Sequence, residues 1–438
     1  MPKSSDVVVT GVGPVTAIGI GVDEFWTSLL DGRLAVHSLQ IRDDDGPTPH
    51  PDYRDDPMAG TWIGAPIVGF DGAQFVRPRK AMKVMARELQ TAFAASEIAI
   101  ERSGLRPAME SGHFTADRVS TVFGSQMFYG PLGEIRDAVR NSRDESGIYQ
   151  LSRFGDAAMR DIMPLWMLKY LPNMPACHVG IAIGAFGANN TVVSGDVSAT
   201  SALMESIGVL RRGIADAVVC GGVGSMLDAT HMVYRGDAPV PQIADPIERS
   251  SRPHATDASG VVAGEGASSL IIELADSALR RQAPMLARIT GTASRFAPPH
   301  PGKRGSSKGI AMAIRAALDQ ADLGHDQIGL VVSHGTGDPL RDAAERTALD
   351  DVLPSVPVMM PTGSIGHSGA AVGAVNTLIG VLAIQNRIIP PSLLNGPCPA
   401  GWETRFDDRP RPLDRDAVIV LTHTSQGVAN AIVLRSID

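Results

Sequence analysis

Cysteine is nearly absent from this sequence: Cys177, Cys220 and Cys398 are the only three, an odd number without CxxC spacing. That argues against a disulfide framework and against a cysteine zinc site, and leaves one chemical use to test, a single nucleophilic thiol. Lysine is scarce as well. Lys3, Lys80, Lys83, Lys169, Lys303 and Lys308 are the whole set, so no lysine amine is available beyond position 308. Positive charge is in deficit, with 39 Lys and Arg against 47 Asp and Glu and a formal charge of −8. The chain therefore has no basic field for phosphate backbones, and no nucleic-acid partner is expected. No apolar run reaches the ~18–20 residues that span a bilayer, and the opening MPKSSDVVVTGVG lacks the charged and apolar regions of a secretory signal. The expectation is a cytoplasmic protein with no membrane span.

What is present is a chain of 438 residues, 44% apolar, with 46 Gly and 31 Pro, enough for two or three domain equivalents and a large core. Short β-branched runs recur, each closed by glycine: VVVTGVG from Val7, STVFGS from Ser120, TVVSGD from Thr191, ADAVVCGGVGS from Ala215 and IGLVVSHGTG from Ile328. These read as buried strands. Between them lie alanine-rich stretches with helical spacing, one running from Lys80 to Gly104 and another from Lys308 to Gly324, both ended by glycine. Alternating strand and helix predicts an α/β architecture. Residues 127–175 have no clean periodicity and read as an excursion from the sheet core. The segments from Thr191 and from Pro357 both run strand, glycine-rich turn and small-residue helix, and both contain Ile-Gly-Val-Leu, at Ile207 and Ile379, which suggests a duplicated unit.

Gly11-Val12-Gly13-Pro14 follows the first strand, yet the third glycine and the distal acidic residue of a dinucleotide loop are missing, so nucleotide binding is not expected. The stronger candidates are the turns at Asp196, His334 and His367, each just after a predicted buried strand. The first and third also open a helix, where free amides favour an anion. Either histidine could equally be a hydrogen-bonded core residue. No regular ligand spacing marks a metal site, and none is expected.

The opening strand and turn, NMPACH at 173–178, LRRGIADAVVCGGVGS, SRPHATDASGVVAGEGAS, HGTGDPLRDAAE and SIGHSGAAVGA occur in an order that resembles the β-ketoacyl-acyl-carrier-protein synthases of the thiolase superfamily. The resemblance covers nearly the whole chain. It implies a thiolase-like five-layered αβαβα fold of two pseudo-symmetric α/β halves, here 1–284 and 285–438, with the 127–175 excursion near a dimer interface and an acyl tunnel. It further implies no cofactor of the chain's own, the phosphopantetheine being carried by a partner acyl carrier protein.

The resemblance also assigns residues. The family nucleophile is a cysteine at the start of the central helix, and that position is Asp196. The two family histidines are His334 and His367. The family lysine falls on Thr362, and the GFGG turn that gates the acyl site and helps form the oxyanion hole becomes Ser425-Gln426-Gly427-Val428. Gln426, Gly427 and Gly366 are thus expected to border an acyl or oxyanion pocket, and the Phe and Asp of the usual RPFD are His254 and Ala255. Asp196 cannot form the acyl-cysteine with which condensation begins. One expectation is a subunit similar to the chain-length factors, paired with a cysteine-containing ketosynthase as a heterodimer. A homodimer is the other assembly. The alternative function is a noncondensing enzyme, a malonyl-carrier decarboxylase or an acyltransferase, that uses His334 and His367. Arg77, Arg79, Lys80, Lys83 and Arg87 gather near one predicted helix, either as a docking patch for an acidic carrier or as a solvated helix face.

Overall fold

The β-branched runs that the sequence marks as strands are buried on both faces, as Val7–Thr16 illustrates, and they assemble into two sheets of the same plan. The computed structural model describes residues 3–39, 42–43, 46–47, 62–131, 133–233, 236 and 238–437. The first half supplies β1 (Val7–Thr16), β2 (Val119–Gly124), β3 (Asn189–Val192), β4 (Ala217–Ser225) and β5 (Ala263–Leu274). The second supplies β6 (Ala287–Phe296), β7 (Ile328–Val332), β8 (Val358–Met359), β9 (Ala417–His423) and β10 (Val428–Arg435). Their spatial orders are β1-β5-β4-β2-β3 and β6-β10-β9-β7-β8. Each sheet has two antiparallel pairings followed by two parallel ones, and the two join edge to edge where Val7–Val9 pairs with Ala287–Ile289.

The duplication reaches fine detail. β1 carries a bulge between Val9 and Gly11 against β5, and β6 carries one between Ile289 and Gly291 against β10. The principal helices repeat too: α1 (Arg87–Ser103), α2 (Ser198–Arg211), α3 (Ser307–Ala321), α4 (Pro339–Val352) and α5 (Val372–Asn386). α1 lies on the outer face of the first sheet and α3 on that of the second, while α2 and α5 lie between the sheets, giving five layers. α2 and α5 are the helices that share Ile-Gly-Val-Leu. α5 is buried on every side from Val372 to Ile384 and touches both sheets. With the turn before it, Gly369–Asn386 is long and apolar enough to cross a membrane, which the run-length reading of the sequence missed, but 89% of that window is buried in this core.

One other expectation needs correction. The helix predicted from Lys80 to Gly104 is broken: Arg79–Val84 is a 3-10 helix, Met85 and Ala86 are extended, and α1 starts at Arg87. The irregular segment contains two helices, Gly133–Asn141 and Leu151–Asp161, packed on each other; Leu132 lies outside the described residues. Glu134 pins this excursion by accepting from Trp166 Nε1 and Tyr170 Oη at 2.7 Å and from Lys169 Nζ at 2.9 Å.

Gly124 ends β2 where α2 begins. A β-carbon there would sit 2.2 Å from Ala199 N and 2.4 Å from its Cα, backbone atoms that cannot yield without moving the helix start. Gly124→Ala is therefore expected to cost ~1–3 kcal/mol, as overpacking does. Urea denaturation measures it, and an unchanged midpoint would mean that the first turn of α2 shifts freely.

Candidate active site

Asp196 stands two residues before the first helical residue of α2, after the exposed Val193–Gly195. His334 follows β7, and His367 precedes the turn into α5, so the three come from separate elements and from both halves. They converge nonetheless. Asp196 Oδ2 lies 3.5 Å from His367 Nε2 and 3.9 Å from His334 Nε2, and the two Nε2 atoms are 3.3 Å apart. His334 is fully buried and His367 nearly so.

Backbone donors decide which ring nitrogens carry protons. His334 Nδ1 accepts from the His423 amide at 3.1 Å, and His367 Nδ1 accepts from the Gly369 amide at 3.3 Å. Nε2 of each ring therefore carries a proton, and both N–H groups face Asp196. Burial, with His423 and Arg341 beside it, holds His334 well below the ordinary imidazole range, so that ring is neutral. For Asp196, burial pushes the carboxyl up, but His367 and Arg341 outweigh it and hold the group well below the usual carboxylate range. The contacts to Nε2 are too long for strong hydrogen bonds; the short one is Arg341 Nη2 to Asp196 Oδ2, at 2.7 Å.

A buried carboxylate organises the turn that carries His334. Glu345, on α4, accepts from Ser333 Oγ at 2.8 Å, from the His334 and Gly335 amides at 3.0 Å and from His423 Nε2 at 3.2 Å. Burial pushes its carboxyl up, yet the His423 hydrogen bond and neighbouring histidines bring it well below the ordinary glutamate value. His254 Nε2 donates to Ser333 Oγ at 2.8 Å, adding a second layer.

Thr362, expected from the resemblance at the family lysine position, donates its Oγ1 to the His334 carbonyl at 3.2 Å and braces the histidine turn. Gly366 precedes His367, whose amide and carbonyl pair with Val262 and Gly264 beside β5. Gln426 is exposed, and Gly427 packs against Ala297; among the described residues neither hydrogen-bonds to the Asp196 cluster. That turn joins β9 to β10. None of the thiols joins the cluster either. Cys177 lies on the Met174–Ile183 helix near Asn189, and burial pushes Cys220, inside β4, up to about 12.

Two of the five basic residues are spent on the fold. Arg87 is bidentate to Glu265 and donates to the Ile67 carbonyl at 2.6 Å, and Arg77 clamps the carbonyls of Ala73, Gln74 and Val76. Arg79, Lys80 and Lys83 are exposed on the 3-10 helix. Gathering all five near one predicted helix missed the break at Met85.

Sequence reasoning passed over Arg341, Glu345 and His423. Arg341 and Glu345 sit in the HGTGDPLRDAAE run, quoted only for the family resemblance, and His423 ends an apolar strand without any local signal.

Asp196, His334 and His367 place one ligand-type atom each within 4.8 Å of one another, a spacing that suits a cation. The donor set opposes it: both Nε2 atoms carry protons, and Arg341 already supplies positive charge to Oδ2.

The chain matches the beta-ketoacyl synthase N-terminal domain over residues 4–278 and the C-terminal domain of the same family over 286–395. It is 27% identical over 407 residues to 3-oxoacyl-[acyl-carrier-protein] synthase 2 of Synechocystis, covering 90% of this chain and 89% of that one. It is also 27% identical over 439 residues to the ketoacyl synthase beta subunit of the tetracenomycin polyketide synthase of Streptomyces glaucescens, with 99% of each chain covered. Among solved structures, the ishigamide ketosynthase/chain length factor superposes with a TM-score of 0.81 over the full length of both chains at 22% identity, a likeness of fold.

Proposed function

This chain belongs to the beta-ketoacyl synthase family, and from that premise we propose that it is the noncondensing subunit of a fatty-acid or polyketide ketosynthase, acting as a chain-length-factor-like partner of a cysteine-containing subunit. The observation that carries this reading is Asp196. Where a condensing enzyme presents a thiolate at the helix start, this chain presents a carboxylate held as an anion by Arg341 and faced by both Nε2–H groups. A carboxylate so stabilised is a poor nucleophile, and an acyl anhydride formed on it would hydrolyse. The full-length similarity to a ketoacyl synthase beta subunit supports the same assignment.

The partner would bind the face that carries β3. This strand is the edge of the first sheet, and Val193 after it is 49% exposed, with Ile181 at 76% and Phe186 at 77% nearby in the chain. Exposed apolar side chains beside an open edge strand suit a protein partner. The excursion adds Leu151 at 76% and Met159 at 87% exposure, consistent with a place near that interface and the acyl tunnel. We place the assembly in the cytoplasm, taking its substrates from an acyl carrier protein that brings its own phosphopantetheine.

Co-expression with a cysteine-containing ketosynthase of the same family tests the reading. A stable one-to-one complex whose product length shifts when tunnel residues of this chain are changed is expected. A homodimer that leaves that ketosynthase alone, and that releases CO2 from malonyl-carrier in a His334- and His367-dependent manner, would transfer the assignment to the decarboxylase. For the carrier, Arg79, Lys80 and Lys83 form the docking patch. Lys80→Glu with Lys83→Glu is expected to weaken carrier binding about tenfold at low salt, an electrostatic loss of ~1.4 kcal/mol. Unchanged affinity in a titration at low salt removes the patch from consideration.

A further inference from the structure

Arg341 has no task in the acyl chemistry just described, and its surroundings are unusual for an arginine. It occupies the first turn of α4 with its side chain 9% exposed. Nη2 donates to Asp196 Oδ2 at 2.7 Å and to the His423 carbonyl at 2.5 Å, and lies 3.4 Å from His334 Nδ1, while Nε has no partner among the described residues. A guanidinium taken out of water with an N–H left unmade is costly unless an anion compensates it. The anion is Asp196.

The donors and the acceptor differ in origin. Arg341, His334 and His367 all belong to the second half of the chain, held by Glu345, by the His423 and Gly369 amides and by the start of α5. Asp196 enters from the first half, on the exposed approach of Val193–Gly195. The donor set is thus built without Asp196 and carries the fixed positive charge of Arg341 with two Nε2–H groups, the complement of a single carboxylate.

We propose that Arg341, His334 Nε2 and His367 Nε2 form a carboxylate-binding site which Asp196 fills from within, so that a ligand carboxylate occupies the place of Oδ2 once the Asp196 side chain is gone. Resting on the family reading above, the ligand class is an acyl group with a free carboxylate of the malonyl type, excluded by the aspartate in the native chain. Arg341 is then the residue that sets the site's preference for an anion.

The test uses acetate as probe, because Asp196→Gly removes a CH2–COO⁻ group of the same size. Acetate is titrated by calorimetry against the full chain at matched ionic strength, with chloride as the counter-anion. Asp196→Gly is expected to bind acetate at least tenfold more tightly than the native chain or Asp196→Asn, in which the site stays filled. Adding Arg341→Gln should lower that affinity at least tenfold, and Arg341→Lys should lower it less. A natively folded Asp196→Gly chain with no gain in acetate affinity overturns the proposal, as does a gain that Arg341→Gln leaves untouched. Should Asp196→Gly fail to fold, Asp196→Ala with formate repeats the comparison under the same criteria. Pairing with the ketosynthase is measured on the same variants: acetate results that fail while pairing persists count against this site alone, and acetate binding without pairing counts against the subunit reading alone.

Discussion

Asp196→Cys is expected to turn a chain that carries no acyl group into one that acquires a single acyl adduct when incubated with acyl-loaded carrier protein. The mass of the intact chain should rise by one acyl unit per chain in the variant and stay constant in the native protein. The reason lies in what the aspartate leaves behind. A thiol at that position would stand near the start of α2, with Arg341 and two Nε2–H groups close to where Oδ2 lies. Positive charge and helix-end amides lower a thiol's pKa, which raises the thiolate fraction at neutral pH. The histidines would then face a thioester oxygen in place of a carboxylate. If Asp196→Cys folds and stays unmodified, the scaffold has lost access to carrier-bound substrate as well as its nucleophile. An adduct on the native chain would contradict the noncondensing assignment directly.

The second large effect concerns Glu345, which touches none of the reacting atoms. Glu345→Ala is expected to destabilise the fold by ~3–5 kcal/mol, because removing the acceptor leaves the Ser333 hydroxyl, two amides and His423 Nε2 buried without their partner. Glu345→Gln keeps the shape and loses the charge, so its cost should be smaller. The pH dependence separates charge from shape. The folded carboxyl lies below its unfolded value of ~4.3, so in that window the unfolded chain binds the extra proton. The stabilisation is complete above about pH 5 and is lost as pH falls through the folded pKa. The stability gap between the native chain and Glu345→Gln should therefore narrow as pH drops below ~4 in denaturant titrations. A gap independent of pH would show that Glu345 acts through packing alone.

The duplicated architecture was legible because it is written in periodicity. Buried strands are apolar runs ended by glycine, and α2 and α5 advertise their central position through small residues and a shared Ile-Gly-Val-Leu. Asp196, His334 and His367 were legible for a related reason: each stands at a turn after a strand, where side chains from distant segments can meet. Arg341 and Glu345 were not, since their meaning depends on which face of α4 turns inward, and a helix reading DPLRDAAER looks solvated on every side. Arg87 misled for the same reason, its partner Glu265 being 178 positions away. The break at Met85 left no trace in a run of good helix formers, because packing against the first sheet, and not propensity, sets where α1 begins.

α5 also constrains how the chain can come apart. A helix with an apolar side chain or close packing on every face has no surface it can show to water, and this one needs both sheets to cover it. Neither half holds a complete interior by itself. Cleaving the chain near residue 285 would leave the first sheet without its cover and the second with a sticky ridge, so the parts should precipitate when made separately and recover only when made together. Thermal unfolding should accordingly be one cooperative event, the two halves melting as a single unit although each repeats the same plan.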